Sequence, residues 1–308
     1  MNRSIVKLIV VLVALLALYL IIHSARDVKS RPEPFIKADS SAVDGITISG
    51  KQGKVILKKR GNDWLLTEPV EYPAESRFVY ELVGKLCAMT IEAKTTDNPE
   101  KQAYFQVDTS GVEFTITQGE KTVGRFIIGK MSDSRRHTYC RRVDENSIYL
   151  VPGNFTGHTS RKPKDWRNKI IMELPKETLA RLDFTYPNSS YSLVLEDTVW
   201  TIQEGGKLAL ADKKIVDRIL NALGRFHTYE FLDGDSARMV DFTQPELFLT
   251  VTDINGEKTE LALRPLESDT EKYYLKKSGV DNTVFVIYKG SASALLQKVE
   301  DFKPKEIG

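Results

Sequence analysis

The sequence predicts an α+β protein: an apolar N-terminal helix followed by two tandem repeats, each a mainly antiparallel sheet with one amphipathic helix packed on it. Three observations carry this. An uncharged run fills residues 8–22, the strand-and-helix pattern of residues 42–175 recurs at 176–308, and the turn Gly-Glu-Lys-Thr stands at the same place in both copies.

The N-terminal run reads LIVVLVALLALYLII from Leu8 to Ile22, and Ile5 and Val6 extend it across Lys7. A helix needs about 20 residues, and at least about 17, to cross a hydrocarbon core, so Ile5 to Ile22 predicts one transmembrane span within an anchor of residues 1–25. A secretory leader has the same basic start and apolar middle. The exit His23-Ser24-Ala25-Arg26 lacks a small-x-small cleavage pattern, which favours an uncleaved anchor. Arg3 and Lys7 on one side face Arg26, Lys29 and Arg31 on the other, so the basic residues do not orient the span. Residues 26–41, with Pro32 and Pro34 among polar neighbours, read as a linker.

The first repeat opens with three short alternating runs, Ile46-Thr-Ile-Ser, Lys54-Val-Ile-Leu-Lys and Asp63-Trp-Leu-Leu-Thr, separated by turns at Gly50, Gly53 and Gly61. Side chains alternate between the faces of a strand, so such runs predict half-buried strands joined as hairpins. The second copy answers with Leu182-Asp-Phe-Thr-Tyr, Tyr191-Ser-Leu-Val-Leu and Val199-Trp-Thr-Ile-Gln, placing Trp200 where the first has Trp64. Both tryptophans are expected in the core.

A helical stripe follows each tryptophan: Val79, Leu82, Val83 and Leu86, then Val216, Ile219, Leu220 and Leu223. The i, i+3, i+4, i+7 spacing gives one apolar face about 100° wide, suited to packing on a sheet. Asp212 is placed to cap the second helix, and Glu75 is a poorer cap for the first. Strands resume at Val112-Glu-Phe-Thr-Ile-Thr and Leu247-Phe-Leu-Thr-Val-Thr, each running into the shared turn at Gly119 or Gly256. The copies close on Thr138-Tyr-Cys-Arg-Arg with Ile148-Tyr-Leu-Val, and on Tyr273-Tyr-Leu-Lys-Lys with Val284-Phe-Val-Ile, at offsets of 135 to 138 residues.

Composition bounds the function. With 41% hydrophobic and 28% charged residues the chain carries enough apolar material for folded domains, and a net charge of +2 is too small for nucleic-acid binding by bulk electrostatics. Cys87 and Cys140 are the two cysteines: there is no disulfide framework, and whether they pair depends on geometry. Phosphate-loop, nucleophile-elbow, HExxH, CxxC and dinucleotide motifs do not occur. The histidines at 23, 137, 158 and 227 have no metal-ligand spacing, and His137 and Cys140, three apart on a strand, fall on opposite faces. The reading is therefore of a non-catalytic protein without cofactor or metal.

One region is asymmetric. Between Arg125 and Lys169 eleven Lys and Arg stand against four Asp and Glu. A solvated face accounts for most such runs. The sharper expectation is a partner-binding basic face made of Lys130, Arg135, Arg136, Arg141, Arg161, Lys162, Lys164, Arg167 and Lys169, with Arg142 beside them, directed at an anionic protein, lipid or polymer surface.

The order of these pieces, I-x-I strand, Trp64-Leu-Leu-Thr-Glu-Pro, Ala74 helix, Phe126-Ile-Ile-Gly129, Tyr139, Ile148-Tyr-Leu-Val and Asp165-Trp-Arg-Asn-Lys, resembles the domain of unknown function 4340 family over nearly the whole region after the anchor. The second copy departs from the pattern, with Gly205-Gly206 in place of the Pro69 region and Leu263-Arg-Pro265 in place of Ile128-Gly129. The resemblance implies a single-pass protein of the inner membrane with its repeats outside the cytoplasm, in some members near components of gliding-motility-type ABC transporters. The expectation is a membrane-tethered binding or scaffold protein with a protein partner, such as transporter subunits. An envelope glycan- or lipid-binding module is the alternative, and a hydrolase with an unrecognised site comes third. The small-molecule ligand stays unknown.

Overall fold

The structure is a computed structural model that describes residues 11–20 and 32–302. Residues 11–20 form the helix α1. Among the described residues no helix is long and apolar enough to cross a membrane. The rest of the expected span, residues 5–10 and 21–22, and the linker up to residue 31 lie outside the described residues. The remainder is α+β, with two antiparallel nine-stranded sheets, each accompanied by helices. The chain divides into two units, Met1–Trp166 and Arg167–Gly308, where the sequence places the boundary at 175/176.

The first unit contains β1 (Gly45–Gly50), β2 (Gly53–Arg60), β3 (Asp63–Glu68), β4 (Tyr72–Pro73) and the helix α2 (Ser76–Cys87). It continues with β5 (Ala93–Thr96), the one-turn helix α3 (Gln102–Phe105), β6 (Val112–Gln118), β7 (Lys121–Met131), β8 (His137–Arg142), β9 (Ile148–Pro152) and the short α4 (Thr156–Thr159). The strands lie in the order β4-β3-β2-β1-β6-β7-β8-β9-β5. Helix α2 thus carries the chain from one edge of the sheet to the other. It buries Val79, Leu82, Val83 and Leu86, each worth about 1.5–3 kcal/mol in transfer out of water. Beneath it lie the inward-facing residues of the alternating strands, among them Ile46, Leu57, Trp64, Leu66, Phe114 and Phe126.

The sheet's other face is covered locally. Val107, Ile127 and Ile148 form a second small cluster with Phe105 and Tyr139, whose rings stand 4.4 Å apart. Gly129 explains how the chain gets there. A Cβ at this position would collide with the backbone oxygens of Phe105 and Gln106, so the Phe126-Ile-Ile-Gly129 strand leaves room for the end of α3 to cross it.

The second unit contains β10 (Ile170–Met172), β11 (Leu179–Tyr186), β12 (Ser189–Glu196), β13 (Val199–Glu204), β14 (Lys207–Leu210) and the helix α5 (Lys213–Gly224). It continues with β15 (Phe226–His227), β16 (Glu230–Asp233), α6 (Gly234–Arg238), β17 (Leu247–Asp253), β18 (Lys258–Pro265), β19 (Lys272–Lys277), β20 (Thr283–Tyr288) and α7 (Lys289–Leu295). Its large sheet runs β14-β13-β12-β11-β17-β18-β19-β20-β16, position for position the order of the first, and β10 pairs separately with β15. The Asp212 carboxylate accepts hydrogen bonds from the N–H groups of Lys214 and Ile215 at 2.7 and 3.2 Å, capping α5. Glu75 makes no side-chain cap on α2. Helix α5 buries Val216, Ile219, Leu220 and Leu223.

Candidate functional site

The nine residues of the expected basic face do not form one surface. Arg141 and Arg167 lie inside the protein, at 9% and 2% exposure. In β8 both faces are covered, so Cys140 and Arg141, though they point opposite ways, are both buried. Arg141 donates from Nε to the Val107 carbonyl at 2.9 Å and from Nη1 to those of Val143 and Glu145 at 3.0 Å each. Its charge is dissolved in backbone dipoles, which is what makes burial tolerable.

Arg167 belongs to the second unit. Its Nη1 reaches both Asp233 oxygens at 3.0 and 2.8 Å, and Nη2 donates to Thr283 Oγ1 at 3.2 Å. Thr283 Oγ1 in turn donates to Asp233 Oδ1 at 2.7 Å, and the guanidinium lies 3.8 Å from the centre of the Phe231 ring. This ion pair, buried on the arginine side and half-exposed at Asp233, ties the chain entering the unit to β16 and β20. The expectation that Arg141 and Arg167 meet a partner is thereby corrected: both are internal fastenings.

The others have separate surroundings. The Arg161 guanidinium stacks on Phe78 at 4.0 Å and Trp166 at 4.9 Å, and the Lys130 ammonium sits 3.7 Å over the Tyr104 ring. Arg142 donates to the Phe35 carbonyl at 2.9 Å and pairs with Glu145 at 3.1 Å. Lys164 is half-buried, and Arg135, Arg136, Lys162 and Lys169 are exposed. Of these, Arg135 and Arg136 share the turn between β7 and β8, and Lys169 stands in the second unit.

A residue with little signal in the sequence becomes visible next to α2. His158, 5% exposed, holds Nε2 3.2 Å from Lys85 Nζ and 3.8 Å from Glu81 Oε1. Burial, and then the Lys85 charge, push its pKa below the ordinary imidazole value. Neither thiol is prepared for nucleophilic chemistry: Cys87 and Cys140 are free, and burial pushes both pKa values up. Among the described residues no group of three or more His, Cys, Asp or Glu is arranged to hold a metal ion.

The two repeats differ most at one edge. In the first, Ala74 donates its N–H to the Trp64 carbonyl at 2.8 Å, and Leu65 faces Pro73 in register. In the second, Ala211 donates to the Trp200 carbonyl at 3.1 Å, and Thr201 faces Leu210. Antiparallel partners alternate between bonded and non-bonded pairs. The position next to Ala74 or Ala211 therefore turns its main-chain groups away from the sheet, onto the free edge. That position is Pro73 in one repeat and Leu210 in the other. Proline has no N–H to offer and blunts an edge, and β4 is only two residues long. Strand β14 has four residues, all exposed, with Leu208 at 55% and Leu210 at 73% on the same face.

The tryptophans beside these edges differ as well. Trp64 is buried, and the Tyr80 ring stands edge-on to it at 6.2 Å, fixed by a bond from Tyr80 Oη to the Asn62 carbonyl at 2.8 Å. Val216 and Ile219 take the places of Val79 and Leu82, so Asp217 stands where the first repeat has Tyr80. Asp217 turns to Lys213 at 2.7 Å. Trp200, expected in the core, is instead only half-buried. It lines a groove of about 510 Å³ with Val199, Val216 and Leu220.

The molecule is thus a two-unit α+β protein built from duplicated antiparallel sheets with one blunted and one open edge. It belongs to the family described as Domain of unknown function (DUF4340), whose model matches residues 64–245. Searches of curated proteins and of solved structures return no match.

Proposed function

We propose that the chain is a non-catalytic binding module, tethered to the inner membrane by the apolar segment Ile5 to Ile22, whose units lie outside the cytoplasm and engage a protein partner. The observation that supports this reading most is the asymmetry of the two repeats: the same fold, used twice, is closed at Pro73 and open at Leu210. Open apolar edges are a liability that folded proteins usually cover, and retaining one is consistent with a surface that a partner covers. The residues best suited to chemistry are spent on structure, with Arg141, Arg167 and His158 buried. Subunits of a transport complex are the partner class that the family resemblance suggests. Envelope lipid or glycan is the second reading, and the exposed Arg135 and Arg136 in one turn favour it.

Full-length chain, tagged and crosslinked in its native membranes, tests the proposal, with a chain lacking Ile5 to Ile22 as control. Recovery of a defined protein in fixed ratio is the expected result. Recovery of envelope polymer or lipid alone contradicts it.

A further inference from the structure

We infer that strand β14 is the docking site of the module and that its occupant is an extended polypeptide segment, apolar at alternate positions and flanked by acidic residues, added as a tenth strand. The inference rests on the binding-module reading and names its surface and ligand class. The pairing of Ala209 with Ile202 and of Ala211 with Trp200 leaves the N–H and C=O groups of Leu208 and Leu210 facing outward. Only another extended main chain satisfies such a row of donors and acceptors in register, which is the chemistry of strand addition.

The side chains define what that strand carries. Leu208 and Leu210 stand on one face of the sheet, so the opposing residues of the incoming strand meet apolar surface there at every second position. Lys207 opens the edge strand, facing Glu204 across to β13, and Lys214 follows four residues after its end, in the first turn of α5; both are exposed. Among the described residues neither has a carboxylate within ion-pair distance, whereas the neighbouring Lys213 is paired with Asp217. Two exposed ammonium groups outside any ion pair among the described residues, before and after an apolar strand in the chain, complement acidic residues on the ligand. A second copy of the chain is the poorer occupant, because pairing β14 with itself brings the same ammonium groups to one seam. The matching edge of the first repeat cannot serve, since Pro73 occupies the outward position.

The test is selection of linear peptides displayed on phage against the full-length chain in detergent. Selected peptides are then measured against the Leu210→Pro and Leu208→Lys variants. The Leu210 N–H points outward, so proline removes no bond of the ladder, and thermal unfolding verifies that both variants are folded. Glu71→Lys, at the first repeat's edge, is the control. The inference expects enriched peptides with alternating apolar residues and Asp or Glu at the flanks, whose binding falls about tenfold or more in both edge variants, a loss of about 1.4 kcal/mol, and stays unchanged in the control. Absence of enrichment, or equal binding to wild type and variants, overturns it. Self-association of the wild type that is lost in Leu210→Pro overturns it in favour of a second copy. If crosslinking recovers a protein partner whose binding ignores both edge variants, the module reading stands and this inference falls.

Discussion

Pro73 and Leu210 occupy equivalent places in two sheets of identical strand order, each one residue before an alanine that donates its N–H to a tryptophan carbonyl. In one repeat the edge carries no outward N–H at that point; in the other it does. The pair of leucines on β14 therefore acts as exposed surface and contributes little to the core. Replacing Leu208 and Leu210 together with lysine is expected to change stability by less than about 0.5 kcal/mol while weakening the binding of edge-selected peptides. Denaturant titration and peptide-binding titration measure the two effects.

Trp200 is the half-buried member of three tryptophans, and Trp64 and Trp166 are 1% and 0% exposed. Acrylamide is expected to quench only a fraction of the fluorescence of the native protein. Trp200→Phe removes that fraction and leaves an emission that resists the quencher. Asp217→Tyr, which restores the covering residue found at Tyr80, is expected to shift the Trp200 emission to the blue.

Arg167 and Arg135 share a charge but not an environment, and their substitution separates them. Arg167→Ala removes a buried side chain and leaves the half-buried Asp233 without its cation, and is expected to cost about 1–3 kcal/mol. Arg135→Ala, at an exposed turn, is expected to cost less than about 0.5 kcal/mol. Chemical denaturation of the two variants gives the comparison, and equal effects would contradict the burial of Arg167.

His158 predicts a pH dependence. Its pKa in the fold lies below the ordinary value of 6.5 because burial and the Lys85 ammonium disfavour the cation. The unfolded chain then binds the proton first, so the contribution is fully present above about pH 6.5. It is lost as pH falls from there through the folded pKa. Thermal unfolding between pH 7.5 and 5 is expected to show a falling midpoint that is flatter in His158→Gln, within the same stated window.

Gly129 predicts a packing effect. A methyl group there meets the backbone of Phe105 and Gln106, which cannot move as a side-chain tip would, so Gly129→Ala is expected to cost about 1–3 kcal/mol. Gly61→Ala is not an equal control, because Gly61 has a positive φ. Gly84→Ala, on α2 with open space around its Cα, is the better one.

Much of the fold is legible in the chain. Ile46, Ile48, Phe114 and Ile116 alternate with polar residues, and the two helix stripes repeat at i, i+3, i+4 and i+7, because one buried face imposes one period. Strands β4, β5, β14 and β16 escape that logic. They are two to four residues long and lie at sheet edges, too short for a period of two to stand out. Arg167 escapes it too, since its partners Asp233 and Thr283 lie 66 and 116 residues further on. The difference between Trp64 and Trp200 is written in neither strand but in the helix residue above each, Tyr80 or Asp217. The open edge was legible only as the exchange of the Pro69 region for Gly205-Gly206, a change whose meaning depends on register.

Amide exchange at β14 tests the account most directly, because it reads the edge without any ligand. In the purified full-length chain the N–H groups of Leu208 and Leu210 are expected to exchange close to the unprotected rate, while those of Ala209 and Ala211, bonded to β13, exchange slowly. Strong protection at Leu208 and Leu210 in the free protein would show the edge already paired, and would contradict the claim that β14 is the open docking strand.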